Sequence, residues 1–304
     1  MGRKHWFSTL ALWLVLAAVA VAAPKYKALI VTGQNGHDWK GTTPVLKQIL
    51  EETGLFAVDV ATCPPGKDTS SFKPDFKAYD VVVSNYQGAA WPEETKTALV
   101  DYVKGGGGLV IYHFALASFP DWKEYNEMIG LGGWGGRGEK AGVYVRWKDG
   151  KIVRQETPGP NDVRGTGKKR QVIVGSHGPM QPFQVVIREP NHPITQGLPE
   201  KFMQVPDELY GWLRGPAKNL TVLATAFAPA GKLGGADEHE PVLFTIGYGK
   251  GRVFQNALGH TPKELKSVAF IVTFQRGVEW AASGKVTQKV PDDFPTADKT
   301  SVRP

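Results

Sequence analysis

Four consecutive glycines, Gly105 to Gly108, deliver the chain into a short apolar run, Leu109 to Tyr112, which stops abruptly at His113-Phe114-Ala115. A run of that length with no polar alternation reads as a strand buried on both faces. Such a strand needs a layer of helices above and below it, so this one segment commits the chain to a layered α/β sheet. In several α/β hydrolytic folds the tight turn after a strand of this kind presents a Cys or Ser to the substrate. This chain offers His113 there, and no hydroxyl or thiol until Ser118.

The flanking sequence agrees. Residues 26–33, 56–62 and 79–85 read as apolar, β-branched strands, and residues 42–53 and 92–106 as amphipathic helices with Pro44 and Pro92 in their first turns. Strands alternating with helices give right-handed βαβ units and a parallel sheet. From 131 to 190 the pattern changes to Gly- and Pro-rich sequence with short alternating stretches, expected to be a β-rich insertion that decorates one edge or overhangs the site. Strands resume at 219–227, 241–249 and 251–259, the last two as a hairpin around Gly249-Lys250-Gly251. A closing helix is expected over 261–283, followed by a loose polar tail, 284–304.

Residues 1–22 carry Arg3 and Lys4, then an apolar core, then Ala20-Val21-Ala22, an A-x-A cleavage pattern. They read as a signal peptide, with an uncleaved anchor as the alternative, and predict a periplasmic or secreted protein with no stable membrane span after cleavage. The formal charge of +7 falls by two once Arg3 and Lys4 are removed. The remaining basic residues are scattered, and the densest cluster, "GTGKKRQ", lacks the aromatic interleaving of a nucleic-acid surface, so nucleic acid is not an expected partner. The single cysteine, Cys63, excludes an internal disulfide and reads as a small buried filler or, less simply, a free nucleophile. A homo-oligomer is left open.

In an open parallel sheet, ligands bind beyond the carboxyl ends of the strands. The segments leaving those ends carry His37, Asp38 and Trp39; Asn85, Tyr86 and Gln87; His113; and Asn256 with His260. Each has a plainer reading: Asp38 and His260 as helix caps, His113 as a core histidine. Asp207 and Glu208 are adjacent carboxylates that either join this rim or cap a short helix. His177, in the insertion, is either a lid residue or part of a turn with no task.

These residues also carry a resemblance. "ALIVTGQNGHDW", "GGGGLVIYHFALASFPDW", "NHPITQGLPEKFMQVPDELY" and "PVLFTIGYGKGRVFQNALGH" are similar to successive motifs of the ThuA-like (trehalose utilisation) family, from about Tyr26 to Ala282. The resemblance implies a flavodoxin-like, class I glutamine-amidotransferase-like three-layer sandwich and a link to sugar or keto-sugar metabolism. Amidotransferases of that superfamily keep a catalytic cysteine at the turn that His113 occupies here, so glutamine hydrolysis lacks its nucleophile.

Two functions follow as expectations. One is a carbohydrate-acting enzyme with His37, His113, Glu208 and His260 as catalytic groups and Asp38, Trp39, Asn85, Tyr86, Gln87, Asp207 and Asn256 contacting a sugar or keto-sugar. His37, His113 and His260 are then also candidate ligands for a divalent cation such as Zn²⁺. The other is a non-catalytic carbohydrate-binding protein that stacks sugars on Trp39, Trp91, Trp122, Trp134 and Trp212.

Overall fold

The computed structural model describes residues 23–230 and 235–304, together with Gly2. The expected signal peptide therefore lies outside the described residues, Gly2 apart. Among the described residues no helix is long and apolar enough to cross a membrane.

The chain runs β1 (Tyr26–Thr32), α1 (Trp39–Glu51), β2 (Phe56–Thr62), β3 (Val81–Ser84), α2 (Glu93–Gly105), β4 (Gly108–Tyr112) and α3 (Lys123–Ile129). After these come β5 (Val143–Lys148), β6 (Lys151–Gln155), β7 (Gln181–Ile187), β8 (Lys201–Asp207), β9 (Leu220–Ala228), β10 (Glu238–Tyr248), β11 (Gly251–Asn256) and α4 (Val268–Ser283). The main sheet has the order β8-β7-β9-β10-β11-β4-β3-β1-β2. From β11 to β2 every neighbour is parallel, and this half has the flavodoxin-like arrangement. From β8 to β11 every neighbour is antiparallel. The fold is thus α/β as expected, with an antiparallel wing joined at β11.

Alternation along β1 sends Ala28 and Ile30 into one core and Leu29 and Val31 into the other. The first core is covered by α1 (Leu46, Ile49, Leu50) and α4 (Phe270, Phe274, Val278). The second is covered by α2 (Leu99, Val103) and α3 (Met128, Ile129). Two of the opening glycines are explained by contact: a Cβ on Gly107 would stand 2.4 Å from the Tyr102 ring, and one on Gly108 would stand 2.4 Å from the Ala281 carbonyl oxygen.

Two expectations are corrected. Residues 181–187 do not decorate the sheet; they are β7, within it, so the irregular segment closes before them. The tail is not loose. It returns along the molecule: the Met203 N–H donates to the Thr296 carbonyl and Val268 N–H to that of Ser301, and Ser267 bridges Val302. The reason lies in α4, where Arg276 and Glu279 are buried. Arg276 donates to the Gln288 carbonyl, while Glu279 accepts from the Thr287 N–H and hydroxyl and from the Gln288 side-chain amide. Buried charges need such partners. Deleting residues 286–304 should therefore cost about 3 kcal/mol or more, read as a lowered denaturation midpoint; an unchanged midpoint would mean that the tail only rests on the surface.

Candidate functional site

Four loops converge beyond the carboxyl ends of the parallel strands, and Glu208 is their hub. Its carboxylate lies 4.0 Å from His37 Nε2 on the loop after β1, and 3.6 Å from His113 Nε2 at the end of β4. It lies 3.7 Å from His260 Nε2 after β11, and 3.4 Å from His177 Nε2 in the irregular segment. His37, His113 and His260 thus meet as the topology suggested, and His177 joins them. It is held there by a short antiparallel pairing with Tyr210.

Each ring has a distinct support. The His37 backbone N–H donates to Asn35 Oδ1, and its ring stacks on Phe114 with centroids 4.3 Å apart. His113 occupies the sharp turn with φ +43°, in the left-handed region that L-residues rarely adopt. The turn that closes β4 is therefore strained, with an imidazole at its apex. His113 Nδ1 stands 2.8 Å from the Ala257 carbonyl oxygen. A carbonyl only accepts, so Nδ1 carries the proton. On the neutral ring, Nε2 is then left to accept from the Tyr210 hydroxyl, 2.6 Å away. Burial, followed by the charge of Glu208, raises the Tyr210 phenol well above its ordinary value and keeps it a donor.

Asp207 and Glu208 are neighbours with opposite fates. Asp207 is fully buried and accepts from the Gln204 amide and from the backbone N–H groups of Glu208, Gly259 and His260. It fixes the loop that carries His260 and has no surface open to solvent. Burial pushes its carboxyl above the usual range, against the opposing pull of His113 and these donors. Glu208 faces the rings: burial alone would raise it, but a protonated His113, through hydrogen bonding and charge, together with the charges of His260 and His177, brings it down to about 2. Burial, then the charges of His113 and His260, lowers His37 to about 3.

The other expected substrate contacts are sorted by burial. Asn85, Tyr86 and Asn256 are closed off from solvent. Asn85 donates to Thr42 and Thr43, the Tyr86 hydroxyl to the Ala89 carbonyl, and Asn256 to Thr273. They hold the rim from below and are corrected to supporting roles. Asp38 caps α1 by accepting from the Gly41 N–H. Trp39 is the first residue of that helix, half-buried, with Lys40 over its ring. Gln87 accepts from the Gly36 N–H and so steadies the His37 loop. Cys63 is buried and its thiol is pushed up, as a filler should be. Trp91 and Trp122 are core residues of the α2 face, whereas Trp134 and Trp212 line a cleft of about 990 Å³ that His177 also borders. Tyr210 was hidden in the sequence because a tyrosine after "DEL" reads as ordinary core; its signal was its place in the same short motif as Glu208.

His37, Glu208 and His260 offer three donor atoms within 4.8 Å of one another. Ligands about 2.1 Å from a tetrahedral ion stand about 3.4 Å apart, so a small closure would let this trio share a cation. The neutral imidazole and ionised carboxylate that a cation requires are the forms that the low pKa values favour. His113 fits less well, since both ring nitrogens already have partners, and Glu208 takes its place in the expected ligand set.

Both depressed groups give the same sign of pH dependence. The unfolded chain takes a proton on His37 near 6.5 and on Glu208 near 4.5, before the folded protein does at about 3 and about 2. Stability should therefore fall as pH drops from about 6.5 towards 3. In the presence of a chelator, the midpoint of His37→Gln should fall less steeply over that window than that of the unsubstituted protein; equal slopes would mean that His37 is not held neutral.

The family model described as ThuA, trehalose utilisation, matches residues 27–281. A ThuA-like protein from Parabacteroides merdae ATCC 43184 is 43% identical, with a TM-score of 0.84 over 92% of this chain and 98% of that one. A ThuA-like protein from Bacteroides uniformis ATCC 8492, 19% identical, shares the fold with a TM-score of 0.58 over 90% and 96%. The search of curated proteins finds no match. The matched span and the 43% identical relative together establish that the chain belongs to the ThuA (trehalose utilisation) family.

Proposed function

We propose that this protein is an exported carbohydrate-acting enzyme that converts a sugar or keto-sugar at the His37–His113–His177–Glu208–His260 centre. The observation that carries the reading is the convergence of four imidazoles on one carboxylate at the edge of a cleft that holds Trp134 and Trp212. Groups able to donate and accept protons thus border a wall in which half-buried Trp134 offers an apolar face to a sugar ring. The family's link to trehalose utilisation supports the substrate class.

His113 is the group best arranged to hold a proton. Its Nδ1 is pinned on the Ala257 carbonyl, and its Nε2 faces both the Tyr210 hydroxyl and Glu208. His177, the most exposed of the four rings, borders the cleft and would meet a substrate hydroxyl first. A divalent cation held by His37, Glu208 and His260 would supply a Lewis acid for a carbonyl or hydroxyl oxygen. Asp207 binds nothing in this scheme; it orients His260.

Elemental analysis of untagged protein purified without chelator tests the cation: near-stoichiometric zinc, manganese or iron is expected, lost in His37→Ala and Glu208→Ala. Metal-free protein would remove the cation and leave acid–base chemistry. Turnover of disaccharides and their keto derivatives tests the rest. His113→Ala should lower kcat by about 10²–10⁴-fold, the usual worth of a general acid or base. Saturable sugar binding without any product would instead establish a carbohydrate-binding protein. Export is tested by removing residues 1–22, which should retain the protein in the cytoplasm; continued export would overturn the localisation.

A further inference from the structure

The cleft beside the centre does not end at Trp212. It is bordered by His177, Trp134, Trp212, Asn161, Arg164 and Asp237, and at about 990 Å³ it already reaches the upper end of the range for a small-molecule site. A second cleft of about 650 Å³, bordered by Trp147, Arg188, Phe227 and His239, shares Asn161, Ala236 and Asp237 with the first. The shared residues set the two clefts side by side as one extended surface, and His177 brings the histidine centre to the edge of the first.

The far end is built from rigid aromatic side chains. Trp147 on β5 is paired across the ladder with His239 on β10. The Arg188 guanidinium lies 4.4 Å from the centroid of the Trp147 ring and is itself fixed by donation to Thr225 Oγ1. Phe227 on β9 packs edge-on to His239. Its neighbours Ala226 and Ala228 are buried, but Phe227 is 44% exposed. On a strand of that alternation the outward position ordinarily carries a polar residue, and the packing of the core does not account for a phenyl ring there.

We propose that this extended surface binds a linear oligosaccharide, with its terminal sugar beside His177 at the histidine centre and the units behind it running over Trp134 towards Trp147 and Phe227. The inference rests on the carbohydrate reading above and narrows it from a free sugar to the end of a chain. Aromatic surfaces suit the C–H faces of successive sugar rings, and Asn161, Asp237 and Arg188 between and around them offer donors and acceptors to the hydroxyls. Each ring-to-sugar contact is modest, so affinity should grow with chain length.

The test is binding of the full chain to an array of neutral and acidic saccharide series, each from one to six units, followed by titration calorimetry on the best series. The dissociation constant should fall by about tenfold or more between one unit and four. Phe227→Ala, and separately Trp147→Ala, should weaken the longest member about fivefold to tenfold, drawing the ratio of long- to short-chain affinity towards one. Phe227 is exposed, and matching denaturation midpoints would confirm that its substitution leaves the fold intact. Binding that is independent of length, or unaltered in both variants, would overturn the extended surface while leaving the carbohydrate reading in place. Retention of no saccharide of any series would overturn both.

Discussion

The candidate site depends on one buried side chain. Asp207 gathers four N–H groups from two segments that are distant in sequence, the end of β8 and the loop after β11. Without it, Gly259 and His260 would have no partner in the interior for their backbone donors, and unpaired buried donors are costly. Because Asp207 ties that loop to the end of β8, the next residue, Glu208, emerges beside the His260 ring. The geometry of the centre is therefore inherited from a carboxyl group that never meets solvent.

The inner strands of the parallel half, β1, β3 and β4, were legible because they are buried on both faces and therefore apolar in sequence; the edge strand β2 exposes Ala57, Asp59 and Val60. The segment from Gly108 to Tyr112 and its glycine approach are the clearest case. Convergence of His37, His113 and His260 was also legible, since topology alone assigns the strand ends to one rim. The division of labour between adjacent acids was not. Asp207 and Glu208 are adjacent acids in the sequence, and only the fold shows that one is closed in by N–H donors while the other faces the imidazoles.

Other failures share a cause. Asn85, Tyr86 and Asn256 were assigned to substrate because polar side chains at strand ends suggest a site, yet each spends its hydrogen-bonding capacity inward. The tail looked loose because its own residues are polar. The information that docks it lies elsewhere, in two charged residues on the buried face of α4 whose partners the tail supplies.

The junction of the two halves of the sheet sets the order in which the molecule can be completed. β4 takes its parallel neighbour from β11, with Gly108 opposite Arg252, so a strand made early waits for one made late. Until residues 251–256 arrive, the apolar edge of β4 has no partner on that side, and an unpaired edge is a template for wrong pairings. Contacts of such large sequence separation are slow to form. The chain should therefore have an assembly-limited folding step, and the histidine centre, which needs β4, β8 and β11 together, should be among the last parts of the protein to acquire its native form.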